Sequence, residues 1–219
     1  MKNLQKKYLR AIAEVSPLSL LLPVAAEAQT PDTLMAVYDK GSSLSRMSLH
    51  VNGSFLLGGI YDGDGSGAGI PTEGAASRLM WYPQKAAFRA GHIDGTFWDA
   101  ANIGDHSLAI GYNSRASASY AVALGNWCTA AQVSSFAVGE SNTASGVASV
   151  ALGYHAHTNA RQGSFVFADR SSVDTVRAGV NHSASWRTSG GFRIFTSSNL
   201  STGVTLQSGA TVSNWGQAN

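Results

Sequence analysis

From Ser107 onward, small and bulky apolar positions alternate in short bursts, and the burst returns at a fixed interval. The chain reads SLAIG from Ser107, AVALG from Ala121, SFAVG from Ser135 and SVALG from Ser149. Ala109, Ala123, Ala137 and Ala151 are 14 residues apart, as are Gly111, Gly125, Gly139 and Gly153. A period held over four copies marks a repeat architecture. Between the small positions stand larger apolar ones: Leu108 and Ile110, Val122 and Leu124, Phe136 and Val138, Val150 and Leu152. Successive side chains of a strand point to opposite faces, so each phrase predicts a short strand with one small and one aliphatic face.

The intervening halves repeat more loosely. Ala116, Ala130, Ala144 and Thr158 share one column, and Ala118, Gln132, Gly146 and Ala160 another. A 14-residue coil is therefore expected to hold two short strands and two turns, with turns near Asn113-Ser114, Trp127-Cys128 and Ser141-Asn142. Coils stacked at about 4.8 Å per layer form a narrow parallel roll. So thin a winding encloses almost no volume, and its outer face stays apolar. Between His106 and Ala160 the only formally charged residues are Arg115 and Glu140. That is more contiguous apolar surface than a soluble chain normally carries. Identical copies are the economical cover, which predicts a homotrimer about an axis parallel to the roll, with small residues inside and aliphatics at the interface.

The four phrases resemble the head repeats of YadA-like trimeric autotransporter adhesins, over roughly residues 104–168. The resemblance implies an all-β fold: a left-handed parallel β-roll of 14-residue coils, three of which form a surface-exposed adhesive head. "SFVFADRSS" from Ser164 reads as a degenerate fifth copy, slipped by one residue and without the glycine. Terminal repeats are expected to be atypical in this way.

The flanking segments are expected to be β-rich. Residues 77–103 carry Trp81, Tyr82, Phe88, Phe97 and Trp98. They resemble the lead-in to such repeats in secreted bacterial proteins of tail-fibre-like organisation. Bulky rings beside a thin roll read as a cap on its open end, and an exposed ring platform of the kind sugar-binding proteins use is the alternative. Within residues 29–76, Asn52-Gly53 between two apolar runs predicts a hairpin. Residues 169–219 alternate apolar and polar positions and resemble the connector before the self-cleaving chaperone domain of tail-fibre proteins. Neither that domain nor an anchoring barrel is read in the sequence, so the chain is expected to be a processed piece or to assemble without such a helper.

At the N-terminus, Lys2, Lys6, Lys7 and Arg10 precede the apolar run "SPLSLLLPVAA" and an Ala26-Glu27-Ala28 cleavage pattern. Residues 1–28 thus read as a secretory signal peptide, leaving an extracellular or cell-surface mature chain with no membrane span. Charged residues make up 13% of the chain and the net charge is +2, which argues against nucleic acid as a partner. The single cysteine, Cys128, lies in the column Ser114, Cys128, Asn142, Ala156 and reads as a packed small residue.

Chemistry is sparse. Asp62, Asp64, Ser66, Gly67 and Glu73 fall at calcium-loop positions, but Gly69 and Pro71 spoil the anchor and no helices flank it, so a Gly-rich turn is the plainer reading. His155 and His157 could share a strand face and ring a metal about a threefold axis, or simply be solvated. Asp105-His106-Ser107 holds triad residue types, but sequence neighbours on a strand cannot form the relay. No cofactor is expected. The reading is a non-enzymatic trimeric adhesin head or structural fibre module that attaches to host matrix protein, glycan or an abiotic surface. The alternative is a polysaccharide-binding or polysaccharide-degrading tail-spike-like β-solenoid. Glu140 is the only carboxylate between Asp105 and Asp169, which weighs against catalysis on the roll.

Overall fold

Each of the four repeated phrases forms a five-residue strand lying parallel to the next, in register. The structure, a computed structural model, describes residues 33–38, 45–63 and 69–209. The signal segment 1–28 and the loop residues Asp64, Ser66 and Gly67 lie outside the described residues. The chain is all-β and divides into two compact units, residues 1–57 and 58–219.

In the first unit, β1 (Thr33–Tyr38), β2 (Ser45–His50) and β3 (Phe55–Leu57) form an antiparallel sheet in that order. The turn between β2 and β3 is built on Asn52-Gly53. Gly53 takes φ +82° and donates its N–H to His50 O at 2.9 Å, while Asn52 Oδ1 accepts from Ser54 N at 2.9 Å.

In the second unit, β4 (Ala76–Tyr82) and β5 (Ala87–Ile93) form an antiparallel pair. Long and short strands then alternate: β6 (Leu108–Tyr112), β7 (Arg115–Ala116), β8 (Val122–Asn126), β9 (Thr129–Ala130), β10 (Phe136–Glu140), β11 (Thr143–Ala144), β12 (Val150–Tyr154) and β13 (Ala156–His157). The alternation continues through β14 (Phe165–Ala168), β15 (Val176–Arg177) and β16 (Ala184–Arg187), and a hairpin of β17 (Phe192–Phe195) and β18 (Gly203–Leu206) follows. The long strands make one sheet, β16-β14-β12-β10-β8-β6-β5-β4, and the short ones a second, β15-β13-β11-β9-β7. Every pairing in the two sheets is parallel except that of β4 with β5.

The parallel ladder runs beyond the repeated phrases at both ends. Upstream, β5 pairs with β6 so that Gly91 stands opposite Gly111 and Arg89 opposite Ala109. Downstream, Ala168 of β14 stands opposite Gly153, and Arg187 of β16 opposite Ala168. The one-residue slip of the fifth copy is taken up at a corner. There Asn159, Ala160 and Gly163 all have positive φ, where the preceding coils use Tyr120, Ser134 and Ala148 singly.

Between the sheets the core is a layer of methyl groups. Ala109, Ala123, Ala137 and Ala151 from the long strands and Ala116, Ala130 and Ala144 from the short ones are fully buried. Within these four coils the close approach of the two sheets leaves little room for anything larger. The glycine column is fixed by the same closeness. At Gly111, Gly125 and Gly139, φ lies between +116° and +120°, and an added Cβ would sit 2.0–2.1 Å from the carbonyl oxygen of the next glycine in the column. Those carbonyls have partners of their own. Ser114 Oγ donates to Gly125 O (2.9 Å), Cys128 Sγ to Gly139 O (3.3 Å) and Asn142 Nδ2 to Gly153 O (2.7 Å). The column Ser114, Cys128, Asn142 is thus a row of buried donors as well as of small residues, and burial pushes the Cys128 thiol pKa up.

At the N-terminal end, Arg89 enters the alanine column. It is fully buried and donates to Phe88 O, Ser107 O, Ser107 Oγ and Ala116 O at 2.8–3.0 Å. Burial draws its pKa down to about 10, so it remains charged at neutral pH. Trp98 is also fully buried and donates Nε1–H to Ser114 O at 2.7 Å. Of the other rings in residues 77–103, Tyr82 is buried with Met80, Ala87 and Ile103, while Trp81, Phe88 and Phe97 are half-buried.

At the other end, Asp169 ties down the connection from β14 to β16. Its carboxylate accepts from Arg187 Nε (3.0 Å), Ser171 N and Oγ, and Ser189 N and Oγ, while Arg187 Nη2 donates to Asp169 O and Ser172 O. The Ser171 and Ser189 hydrogen bonds hold its pKa far below the carboxylate range. A depressed folded-state pKa adds stability above the unfolded value, about 3.9, that is lost as pH falls below it. Asp169→Asn is therefore expected to lower the melting temperature at pH 7, with the gap to wild type closing as the pH is taken below about 4. Melts recorded from pH 7 to pH 2 check this.

Candidate interaction surface

Strand alternation that turns alanine inward turns the larger residues out. Leu108, Val122, Phe136, Val150 and Phe165 form one column, and Ile110, Leu124, Val138, Leu152, Phe167 and Trp186 a second beside it. These are partly or fully exposed in the single chain, Ile110 at 39% and Phe136 at 37%. The face is continuous, apolar and free of charge across all these coils.

A third outward column, at the C-terminal ends of the long strands, has a different character. It runs His92, Tyr112, Asn126, Glu140, Tyr154, and the adjacent corner carries Asn113, Trp127, Ser141 and His155, all at positive φ. Each corner residue donates its N–H to a third-column carbonyl one coil back: Asn113 to His92, Trp127 to Tyr112, Ser141 to Asn126 and His155 to Glu140. The backbone at this rim is therefore fixed.

The side chains of the rim are tied together. Tyr112 stacks on His92 at 5.8 Å and 9°, and meets Trp127 edge to face at 6.0 Å and 82°. Asp94 accepts from Tyr112 Oη, from Asn113 Nδ2 at 2.8 Å and from His92 Nε2 at 2.9 Å, and its N–H donates to Asn113 Oδ1. With Nε2 donating to the carboxylate, His92 Nδ1 accepts from Ser77 Oγ at 2.8 Å. The Tyr112 hydrogen bond, then those of Asn113 and His92, lower the Asp94 pKa, and the same contact raises that of Tyr112. Farther along, Arg170 pairs with Glu140 and lies 4.5 Å over the Tyr154 ring, which also meets His155.

Other candidates are dispersed. Of the calcium-loop residues, Glu73 Oε1 accepts from Ala100 N at 3.2 Å and the Asp62 backbone N–H donates to Gln84 O. His155 occupies a corner, whereas His157 lies in β13 and accepts from Asn159 N. Ser107 is buried, donating to Gly104 O, and His106 stacks on Tyr120 and meets Tyr61 at a tilt, so Asp105-His106-Ser107 makes no relay. Among the described residues no group of three His, Cys, Asp or Glu side chains could hold a metal, and no helix is long and apolar enough to cross a membrane. Ser77, His92, Asp94 and Arg170 went unnoticed in the sequence.

Residues 103–126 and 130–156 match the YadA head domain repeat, in two copies. No curated protein and no solved structure matches the chain.

Proposed function

We propose, starting from the YadA-like head of trimeric autotransporter adhesins that this chain carries on residues 103–156, that it is a non-enzymatic, homotrimeric attachment module. In this reading the coils wind as a left-handed parallel β-roll, and the two aliphatic columns of the long sheet meet their counterparts on two sister chains, leaving the third column at the rim. Residues 1–28 direct export, which puts the head on or outside the cell. Residues 77–103 close one end of the roll, and residues 169–219 connect the other end onward. Attachment arises from many weak contacts multiplied by three copies.

One observation carries the reading: the interior is filled by alanine while a ladder of leucine, isoleucine, valine and phenylalanine stays uncovered on one chain. A soluble monomer has little use for such a face, and a symmetric oligomer buries it. Light scattering on the purified chain is expected to give three times the single-chain mass. Beads coated with it should be retained on matrix-protein, glycan or plain polystyrene surfaces. A stable monomer in dilute solution would remove the trimeric reading, and beads that bind none of the three surfaces would remove the adhesive one.

A further inference from the structure

Along the rim formed by the third column, the part-exposed rings of Tyr112 and Trp127 on successive coils stand beside fixed hydrogen-bonding groups. Trp127 is 49% and Tyr112 41% exposed, and each touches the other. Beside them Asp94 is held by three donors from His92, Tyr112 and Asn113. A carboxylate has about four lone-pair sites, so one remains for an incoming donor. The left-handed corners are locked by the adjacent coil, so little ordering cost attends binding.

Aromatic faces beside an immobilised carboxylate suit a sugar, whose C–H face packs on a ring while its hydroxyls seek fixed polar partners. A peptide strand is a poorer fit. The corner N–H groups of Asn113, Trp127, Ser141 and His155 are already donated to the neighbouring coil, which leaves no free edge for strand addition. The charged residues of the rim are Asp94, Glu140 and the Arg170 paired to it, a balance that gives an anionic polymer no basic patch to settle on. Tyr112 and Trp127 stand on successive coils, which advance by about 4.8 Å along the stack.

We propose that this rim binds a neutral polysaccharide of β-linked hexose or N-acetylhexosamine units along the stack axis, with Trp127 and Tyr112 as ring platforms and Asp94 as hydroxyl acceptor. This names the ligand of the proposed adhesive head and so rests on that reading. The test is calorimetric titration of the full chain with cellohexaose and chitohexaose, with a hyaluronan hexasaccharide and a collagen-like triple-helical peptide as the competing classes. Trp127→Asn is the informative variant, because Asn113 already occupies that left-handed corner one coil earlier. Tyr112→Asn serves if the first misfolds, since Asn126 fills the same column. At least one neutral hexamer should bind, and the variant should weaken it about tenfold or more at unchanged mass and melting temperature. The inference is overturned if neither neutral hexamer binds, if the variants bind like wild type, or if only the acidic sugar or the peptide binds. A trimer that ignores both hexamers loses this inference alone, whereas a monomer that binds through Trp127 keeps it and loses the trimer.

Discussion

Gly125→Ala is expected to unfold the head at temperatures where the wild type is fully folded. Gly125 has φ +120°, and a Cβ there would lie 2.0 Å from Gly139 O, a backbone atom of the adjacent strand. The substitution combines a strained backbone, about 1–3 kcal/mol, with overpacking that cannot be relieved by turning a side chain, roughly another 1–3 kcal/mol. Moving Gly139 aside would also disturb its bond from Cys128 and the Gly153 contact beyond it. The comparison variant is Gly95→Ala, where an added Cβ meets nothing within 4 Å. Circular dichroism melts should show a large drop for the first and little change for the second. Equal melting temperatures would mean that the glycine column does not hold the coils together.

Ala137→Leu should be comparably damaging, through the interior rather than the backbone. Ala137 is fully buried, flanked by Ala123 and Ala151 in neighbouring strands and sharing its core with Ala130 and Ala144 of the short sheet. Three added carbons have to push the two sheets apart, which costs roughly 1–3 kcal/mol or more, and the displaced long sheet then presents a distorted outer face. Loss of both the proposed trimer by light scattering and the cooperative melt is expected. A variant with wild-type mass and melting temperature would show that the interior has room the packing denies.

The columns of this fold could be read from the chain because, among the four phrases, each residue's strand partners lie one period away. Ala137 faces Ala123 and Ala151, and Gly139 faces Gly125 and Gly153, so the spacing that reveals the repeat also states the register. Where contacts depart from that period the sequence falls silent. The strand β5 belongs to the ladder, yet Arg89 stands in its alanine column and a longer connection separates Gly91 from Gly111, which hides it from a search at fixed interval. β16 is hidden likewise, with Ser185 and Trp186 where the column would have Ala and Leu. The aromatic segment illustrates a different limit. Alternation along β4 buries Tyr82 and leaves its neighbour Trp81 half-open, so ring content alone did not say which rings face in. The Ser77–His92–Asp94 network arises across an antiparallel pair, where Ser77 stands opposite His92, and no periodic pattern announces it.

The fifth coil carries one residue more than its predecessors, yet its strand β14 stays aligned with β12 because the surplus is looped out at an exposed corner. Change in such a molecule is therefore quantised. A surplus at a corner is swallowed locally, while a whole added coil lifts everything beyond it by one rung and leaves each existing rung with the neighbours it had. A lineage could lengthen or shorten the stack rung by rung, at no cost to the machinery of the remainder.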